Sequence, residues 1–288
     1  LYGTVVRILG ADKIYGIENP GYPKIAKIYD SMHVSYSAID LDKHGVCIDS
    51  LENHQIDIMH LSPSHHFPTG IITPISRRYE LLGWASKDEN RYIIEDDYDS
   101  ELRLGGKPIP TLQSIDISDK VIYMNTFTKT LSSTVRISYM VLPASLTELF
   151  YKNLSFYSCT VSNFEQYTLA RFMESGSFEK HINRLRNYYQ NKRDAILEIF
   201  KTAPLDQYIT IKEDSGVHFM MKLKTERTEM DMMSDSKSKG IKLAPLSKYF
   251  VGQTSNVNFQ NVYVMNYSSI DLEQLPLIFD ALCQVLIK

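Results

Sequence analysis

The sequence has few cysteines, no long apolar run and no excess of basic residues. Its three cysteines, Cys47, Cys159 and Cys283, are far apart and form no CxxC pair. This spacing argues against a zinc site and against a disulfide framework. No stretch approaches 18 apolar residues and no basic segment opens the chain, so neither a membrane span nor a secretory leader is predicted. These absences predict a cytoplasmic protein.

The charge balance argues against a nucleic-acid-binding surface on this chain. With 31 basic and 34 acidic side chains the net charge is -3, which provides no electrostatic footprint for nucleic acid. We therefore expect any DNA binding to reside in a domain outside this chain. The sequence starts without Met and within a helical pattern, and we interpret its N-terminus as truncated.

What is present predicts an α/β fold. The 288 residues, 43% of them hydrophobic, can form one large domain or two unequal ones. Strands are predicted over 13–18, 56–61, 92–95, 121–126 and 138–142, and a helix over 74–86 has Leu81, Leu82 and Trp84 on its apolar side. Strands that alternate with helices favour a mainly parallel sheet covered on both faces, with ligands at the carboxyl ends of the strands.

The pattern changes near residue 176. A helix over 161–175 is predicted to end at Gly176, and Ser177 is predicted to cap a long helix that runs to about residue 202. Paired strands over 208–212 and 217–223, a polar exposed segment over 224–240 and a closing helix over 272–287 follow. We predict a large domain over 1–176 and a smaller C-terminal α+β domain over 177–288.

Two polar segments follow predicted strands. Residues 95–101 read Glu-Asp-Asp-Tyr-Asp-Ser-Glu, and residues 126–131 read Thr-Phe-Thr-Lys-Thr-Leu, with Arg136 shortly after. An acid, a phenol, a lysine and an arginine are the groups that hold pyridoxal 5'-phosphate (PLP). The carboxylate keeps the pyridine nitrogen protonated, the lysine forms a Schiff base, and the arginine and hydroxyls neutralise the phosphate. Taken singly, each residue is more often a surface lysine or an acidic loop, so the arrangement carries the prediction.

The chain resembles the fold-type I PLP proteins, the aspartate aminotransferase superfamily. Within that superfamily it is most similar to the aminotransferase-like domain of MocR-type transcriptional regulators, a branch of the GntR family. The matching segments cover nearly the whole chain: 18–22 (Glu-Asn-Pro-Gly-Tyr), 62–70, 74–78, 94–103, 126–131, 136–143 and 181–194. The resemblance implies a homodimer and a DNA-binding winged helix-turn-helix domain N-terminal to this segment.

The resemblance also assigns a role to each residue of the cofactor site. Lys129 would form the Schiff base and would be the catalytic residue of any chemistry. Asp96 would pair with the pyridinium nitrogen, Tyr98 would hydrogen-bond the phenolic oxygen, and Tyr22 would stack on the ring. Two hydroxyls and a guanidinium would hold the phosphate: Thr126, Thr128 and Arg136.

Other positions depart from the aminotransferase pattern. Phe67 stands where many of these enzymes carry an asparagine, and residues 263–267 contain no arginine to bind a substrate carboxylate. Lys24 stands where GABA-responsive regulators carry an arginine, and it is either an effector contact or an ordinary surface lysine. His65 and His66 either line the site or are packed elsewhere. The family's early phosphate-binding loop, a Gly-Thr/Ser-Gln segment, is expected before Leu1.

Three functions follow from these observations. The first is a PLP-binding effector domain in which PLP itself is the signal, as in PdxR-type regulators of vitamin B6 synthesis. The second is a working aminotransferase in which Lys129 also carries the proton. The third is a scaffold with a vestigial site. The missing carboxylate contact favours the first function.

Overall fold

The computed structural model describes residues 1–104, 109–212, 216–252 and 259–287. Its larger part is a seven-stranded sheet in the order β3-β2-β1-β4-β5-β6-β7. The central strands β2, β1, β4, β5 and β6 are parallel, while β3 and β7 are antiparallel to their neighbours. The strands are β1 Tyr15–Asn19, β2 Tyr36–Asp42, β3 Gly45–Val46, β4 Ile58–Leu61, β5 Tyr92–Asp96, β6 Val121–Thr126 and β7 Ser138–Val141.

Helices cover both faces of this sheet because its strands are apolar on both sides. On β5, Ile94 belongs to one buried cluster and its neighbour Ile93 to another, as expected for successive residues of a strand. The first cluster includes helices α1 Tyr2–Leu9, α2 Pro23–Ser31 and α6 Ala144–Leu154. The second includes α3 Ile48–Asn53, α4 Ile75–Ser86 and the short α5 Leu112–Ile115.

The C-terminal part has a sheet and an apolar core of its own. Three antiparallel strands lie in the order β10-β9-β8: β8 Ile209–Lys212, β9 His218–Leu223 and β10 Val262–Asn266. The remaining helices are α7 Asn163–Glu174, α8 Ser177–Phe200, α9 Glu229–Ser238 and α10 Leu275–Leu286. Phe200, Phe219 and Val285 are among the residues of its core. No helix within the described ranges is long and apolar enough to cross a membrane.

The mainly parallel α/β sheet that the sequence predicts is confirmed, and the five predicted strands differ from β1, β4, β5, β6 and β7 only at their ends. One prediction of local structure is wrong, and a second holds only in part. Ser177 is the first residue of α8, and Gly176, in the left-handed conformation, occupies the N-cap position. The exposure predicted for 224–240 fails only locally: the segment is largely exposed, but it contains α9, which Thr228 caps and in which Met232 and Ser236 are buried. The domain boundary at residue 176 stays a prediction.

One buried guanidinium connects the loops at the carboxyl edge of the large sheet. Arg78 of α4 is fully buried. Its Nε donates to Thr73 O at 3.1 Å, Nη1 to Pro110 O at 3.1 Å and Nη2 to Pro63 O at 2.9 Å. Nη1 also lies 3.4 Å from Glu95 Oε1. The loop after β4 and the segment before α5 are therefore held by the same side chain.

Glu95 compensates the buried positive charge. Its carboxylate also accepts hydrogen bonds from the backbone nitrogens of Leu112 at 2.8 Å and Gln113 at 2.9 Å. Burial raises the pKa of Glu95 to about 7, and the two backbone donors and Arg78 oppose this rise. Because a buried charge needs a partner, neither Arg78 nor Glu95 is tolerable here without the other.

We expect Arg78→Met to lower the free energy of unfolding by about 3–5 kcal/mol, because it removes the cation that pairs with Glu95 and leaves three carbonyls without their donor. Urea denaturation followed by fluorescence measures the change. Arg184 is an exposed arginine of α8, and Arg184→Met is expected to change the same quantity by less than about 0.5 kcal/mol. Equal stability of the two variants contradicts the role given to Arg78.

Candidate functional site

A cleft of about 570 Å³ lies at the carboxyl edge of the large sheet. The strands β1, β5 and β6 are parallel, so their carboxyl ends meet at this edge, where open α/β sheets bind ligands. Its volume is typical of a site for a small molecule or cofactor.

The cleft brings together every residue of the predicted cofactor set. These seven residues line it: Tyr22, Asp96, Tyr98, Thr126, Thr128, Lys129 and Arg136. Phe67 and Lys24, which the sequence left as candidates, also line the cleft. His65 and His66 are not among the described residues that line it, and both are buried. The individual roles of these residues stay predictions.

Asp96 ends β5 at the floor of the cleft and is held from behind. Its Oδ2 accepts a hydrogen bond from the Tyr2 hydroxyl at 2.6 Å and lies 3.6 Å from His60 Nε2. Burial, followed by the charge of Asp96, raises the pKa of Tyr2, so the phenol stays protonated and donates. The second histidine nitrogen, Nδ1, lies 2.7 Å from the Tyr29 hydroxyl. These contacts leave Oδ1 available to accept from a protonated ring nitrogen.

Sequence reasoning missed both Tyr2 and His60. Tyr2 is on α1, and His60 is on β4, beside β5. No motif marks either residue. The available signal was the histidine itself. His60 lies in β4, which is otherwise apolar and is buried at every position, so its ring needs a polar partner.

Tyr98 lies two residues beyond Asp96, and a hydrogen bond fixes its hydroxyl. The hydroxyl donates to the carbonyl oxygen of His65 at 3.0 Å. Burial raises the pKa of Tyr98 well above its ordinary value, and the nearby carboxylates of Asp99 and Asp96 add to the effect. The phenol therefore keeps its hydrogen at neutral pH, and rotation of the hydroxyl away from His65 O would direct that hydrogen to a phenolic oxygen of a ligand.

Lys129 projects from a turn that its neighbours anchor. Phe127 and Thr130 are buried, whereas Lys129 is exposed in the cleft. Leu131 N donates to Phe127 O at 2.9 Å and closes the turn. His181 Nε2 from α8 lies 2.7 Å from Thr130 O. The amine therefore faces the cleft while the backbone on either side is fixed.

Hydroxyl groups gather at the β6–β7 edge of the cleft. The Oγ1 atoms of Thr126 and Thr128 lie 2.8 Å apart, and Ser138 Oγ donates to Thr126 Oγ1 at 3.1 Å. Ser138 lines the cleft and was not predicted. It faces Thr126 because β6 and β7 are antiparallel in that register, which the sequence does not reveal. With Arg136, this cluster can bind a phosphate dianion.

The histidines that follow β4 belong to a buried layer behind Phe67. His66 Nδ1 lies 2.7 Å from Thr69 Oγ1, and its Nε2 lies 3.5 Å from Glu18 Oε2. Burial lowers the pKa of His66 to about 3 and raises the pKa of Glu18 to about 8. At neutral pH this pair therefore carries no charge toward the cleft.

Strand β10, where the resemblance places the substrate-binding arginine of an aminotransferase, contributes Asn266 to the lining of the cleft and contains no cation. Val264 is buried in a cluster with Leu246 and Val262, and Phe67 and Tyr249 pack against that cluster. Among the described residues that line the cleft, the cations are Lys24, Lys129 and Arg136. Strand β10 itself therefore offers no ion pair for a carboxylate.

The donor set fits PLP. The cofactor needs an acid for its ring nitrogen, a hydrogen-bond donor for its phenolic oxygen, an amine for its aldehyde and a phosphate site. The cleft supplies Asp96 with a free oxygen, the Tyr98 hydroxyl, the exposed Lys129 and the hydroxyl cluster near Arg136.

Comparisons with known proteins agree with this geometry. The chain is 39% identical over 233 residues to YdeL, an uncharacterized HTH-type transcriptional regulator of Bacillus subtilis, covering 81% of this chain and 50% of YdeL. It is 27% identical over 271 residues to PdxR, the HTH-type pyridoxine biosynthesis transcriptional regulator of Corynebacterium glutamicum, covering 94% of this chain and 57% of PdxR. The chain thus spans about half the length of these two curated relatives.

A solved structure and a family model give the fold and the family. An archaeal alanine:glyoxylate aminotransferase superposes with a TM-score of 0.83 at 20% identity, over 99% of this chain and 72% of that chain. Residues 12–263 match the model of aminotransferase class I and II. The chain therefore belongs to the aminotransferase class I and II family, and PLP is the cofactor that its cleft fits.

Proposed function

We propose that this chain is the PLP-binding effector domain of a MocR-type transcriptional regulator, with PLP as the signal for control of vitamin B6 synthesis. The supporting observation is an asymmetry of the cleft. Its floor and β6–β7 edge carry the cofactor groups, whereas β10 contributes Asn266 and no cation. The similarity to YdeL and PdxR supports the regulatory role. In this proposal a winged helix-turn-helix domain N-terminal to the segment binds DNA.

Each side chain has a defined task in this proposal. Bound PLP supplies an aldehyde that condenses with a primary amine, and a ring that withdraws electrons. Lys129 Nζ provides the amine for a Schiff base. Asp96 holds the proton on the ring nitrogen, the Tyr98 hydroxyl turns its hydrogen from His65 O to the phenolic oxygen, and Tyr22 covers the ring face. The hydroxyl cluster and Arg136 bind the phosphate.

The lack of an arginine on β10 favours PLP itself as the signal. An amino acid that entered the cleft would find no bidentate partner for its carboxylate on this strand. The loss of one charge-assisted hydrogen bond weakens binding by about 1.5–3 kcal/mol, which corresponds to roughly 10- to 150-fold in affinity. PLP has no such deficit, since its charged groups all have partners in the cleft.

We expect added PLP to give a visible absorbance band with the wild-type chain that is absent with Lys129→Ala, because the Schiff base needs the amine. Borohydride reduction followed by peptide mass spectrometry is expected to place the cofactor on residue 129. Lys152→Ala, which removes an exposed lysine of α6, is expected to retain the band. A band that persists in Lys129→Ala contradicts the assignment.

The full-length protein is expected to bind DNA near genes of PLP synthesis with an affinity that PLP changes at least about fivefold. A mobility-shift titration with and without PLP measures this, and Lys129→Ala is expected to abolish the change. The alternative is a working aminotransferase. Turnover of L-alanine or L-glutamate with kcat/KM above about 10⁴ M⁻¹s⁻¹, with no effect of PLP on DNA binding, supports that alternative and overturns the proposal.

The chain has an exposed surface that suits the homodimer expected from the resemblance. Helix α7 has no buried residue, and five aromatic side chains of the α6–α7 region are exposed: Tyr151, Phe156, Tyr157, Phe164 and Tyr167. An apolar patch of this kind marks a protein interface. We propose that a second copy of the chain covers it.

The double change Phe164→Asp with Tyr167→Asp is expected to convert a dimer into a monomer in sedimentation velocity, because it places carboxylates in the centre of the patch. Met230 is exposed to 79% on α9, away from this patch. Met230→Asp is therefore expected to leave the dimer intact. A wild-type chain that sediments as a monomer at micromolar concentration removes this assignment.

A further inference from the structure

A row of five rings connects two residues of the cleft through the small sheet. The centroid distances are 5.8 Å from Tyr22 to Phe67, 5.0 Å from Phe67 to His218, 4.4 Å from His218 to His65 and 6.3 Å from His65 to Tyr98. Tyr22 and Tyr98 line the cleft. Within this row His218 alone comes from the small sheet, where it begins β9.

The large-sheet side of the row is fixed by hydrogen bonds. His65 Nδ1 lies 2.9 Å from Asp99 Oδ2, and both side chains are buried. Because an ionised carboxylate only accepts, Nδ1 carries the hydrogen. The Tyr98 hydroxyl donates to the backbone of the same histidine at 3.0 Å. A displacement of the His65 ring therefore disturbs the residue expected to contact the phenolic oxygen of PLP.

The small sheet is packed directly onto this histidine. A Cβ placed on Gly216 would lie 2.1 Å from His65 Cε1, so only glycine permits the approach. Gly216 also has a φ of +77°, which favours glycine. It lies two residues before His218 and accepts a hydrogen bond from the Tyr267 hydroxyl. The start of β9 cannot move away from the large sheet without breaking this contact.

His218 is held against His65 as a packed, buried ring. His218 is 4% exposed. Burial lowers its pKa well below the ordinary value, and the neighbouring His65, His66 and Lys129 add to this effect, while a hydrogen bond to the His66 backbone opposes it. The Nε2 atoms of both rings are buried, and neither has a hydrogen-bond partner among the described residues. Ring packing therefore contributes a large part of this contact.

We propose that His218 is a positioning residue that couples the small sheet to occupancy of the cofactor cleft. The inference rests on the proposed function, in which PLP is the ligand that contacts Tyr22 and Tyr98. A ligand held by those two residues stabilises the ring row, and the row holds β9 against the large sheet. By linkage, closure of the small sheet then strengthens PLP binding to the same extent.

Hydrogen exchange with and without PLP tests the coupling. Each variant is measured at a PLP concentration of 100 times its own Kd, so that differences in affinity cancel. If opening of the small sheet requires release of PLP, the amides of 218–223 in the wild-type chain slow by up to about 100-fold. In His218→Ala we expect these amides to slow by less than about threefold, while those of 121–126 remain protected by PLP.

Two variants separate coupling from a merely structural role. His218→Phe keeps a ring in the row and is expected to retain the PLP-dependent protection of 218–223. His54→Ala removes an exposed histidine that follows α3 and is expected to behave as wild type. The measured quantity is the change in amide exchange that PLP causes. A variant that is uniformly less stable does not lose this change at 218–223 alone.

The outcomes are distinct. Protection of 218–223 in wild type that disappears in His218→Ala and remains in His218→Phe supports the inference. PLP-dependent protection of 121–126 without any at 218–223 in wild type overturns the inference and leaves the proposed function intact. Full protection of 218–223 in His218→Ala also overturns it. A wild-type chain that shows no Lys129-dependent absorbance overturns the proposed function, and the inference with it.

Discussion

The ion pair between Arg78 and Glu95 is the constraint on which the cleft depends. A charged pair without solvent survives only if every remaining donor and acceptor is used. Here the remaining donors of Arg78 hold the loop between β4 and α4 and the segment before α5. Glu95 immediately precedes Asp96, and successive residues of a strand point to opposite faces. The end of β5 therefore supplies a structural acid on one side of the sheet and a cofactor acid on the other.

The carboxylates at the end of β5 and just after it are tolerated at a buried edge because each of them has a hydrogen-bond donor. Asp96 accepts from Tyr2, and Asp97 accepts from the Tyr123 hydroxyl at 2.8 Å. Asp99 is paired with His65. Each carboxylate thus has its own donor on a different element. Removal of water around this edge strengthens these contacts and raises the cost of leaving any of them unmade, which pre-organises the groups that face the cleft.

The sequence predicted what depends on local pattern and missed what depends on packing between distant segments. The strands β4, β5 and β6 are short apolar runs, and the polar segments that follow two of them contain Asp96 and Lys129. Their convergence follows from parallel strand order alone. Tyr2, Ser138 and His218 could not be found in this way, because their importance arises from α1 lying near β5, from the β6–β7 register and from contact between two sheets. The helix α9 was missed because its pattern is polar, while a cap and one buried methionine are enough to form it.

The distribution of polar groups also separates sensing from catalysis on physical grounds. An enzyme uses interactions with its substrate to lower a barrier, which requires contacts that strengthen in the transition state. This cleft supplies the groups that a cofactor needs, whereas β10 contributes Asn266 and no cation for a substrate carboxylate. The binding energy of the cofactor is then available for a different purpose, namely a shift between two arrangements of the protein. Such a shift needs a ligand that binds the two arrangements with unequal affinity. The ring row between Tyr22 and Tyr98 passes through His218 of the small sheet, and a difference in affinity can arise at this contact.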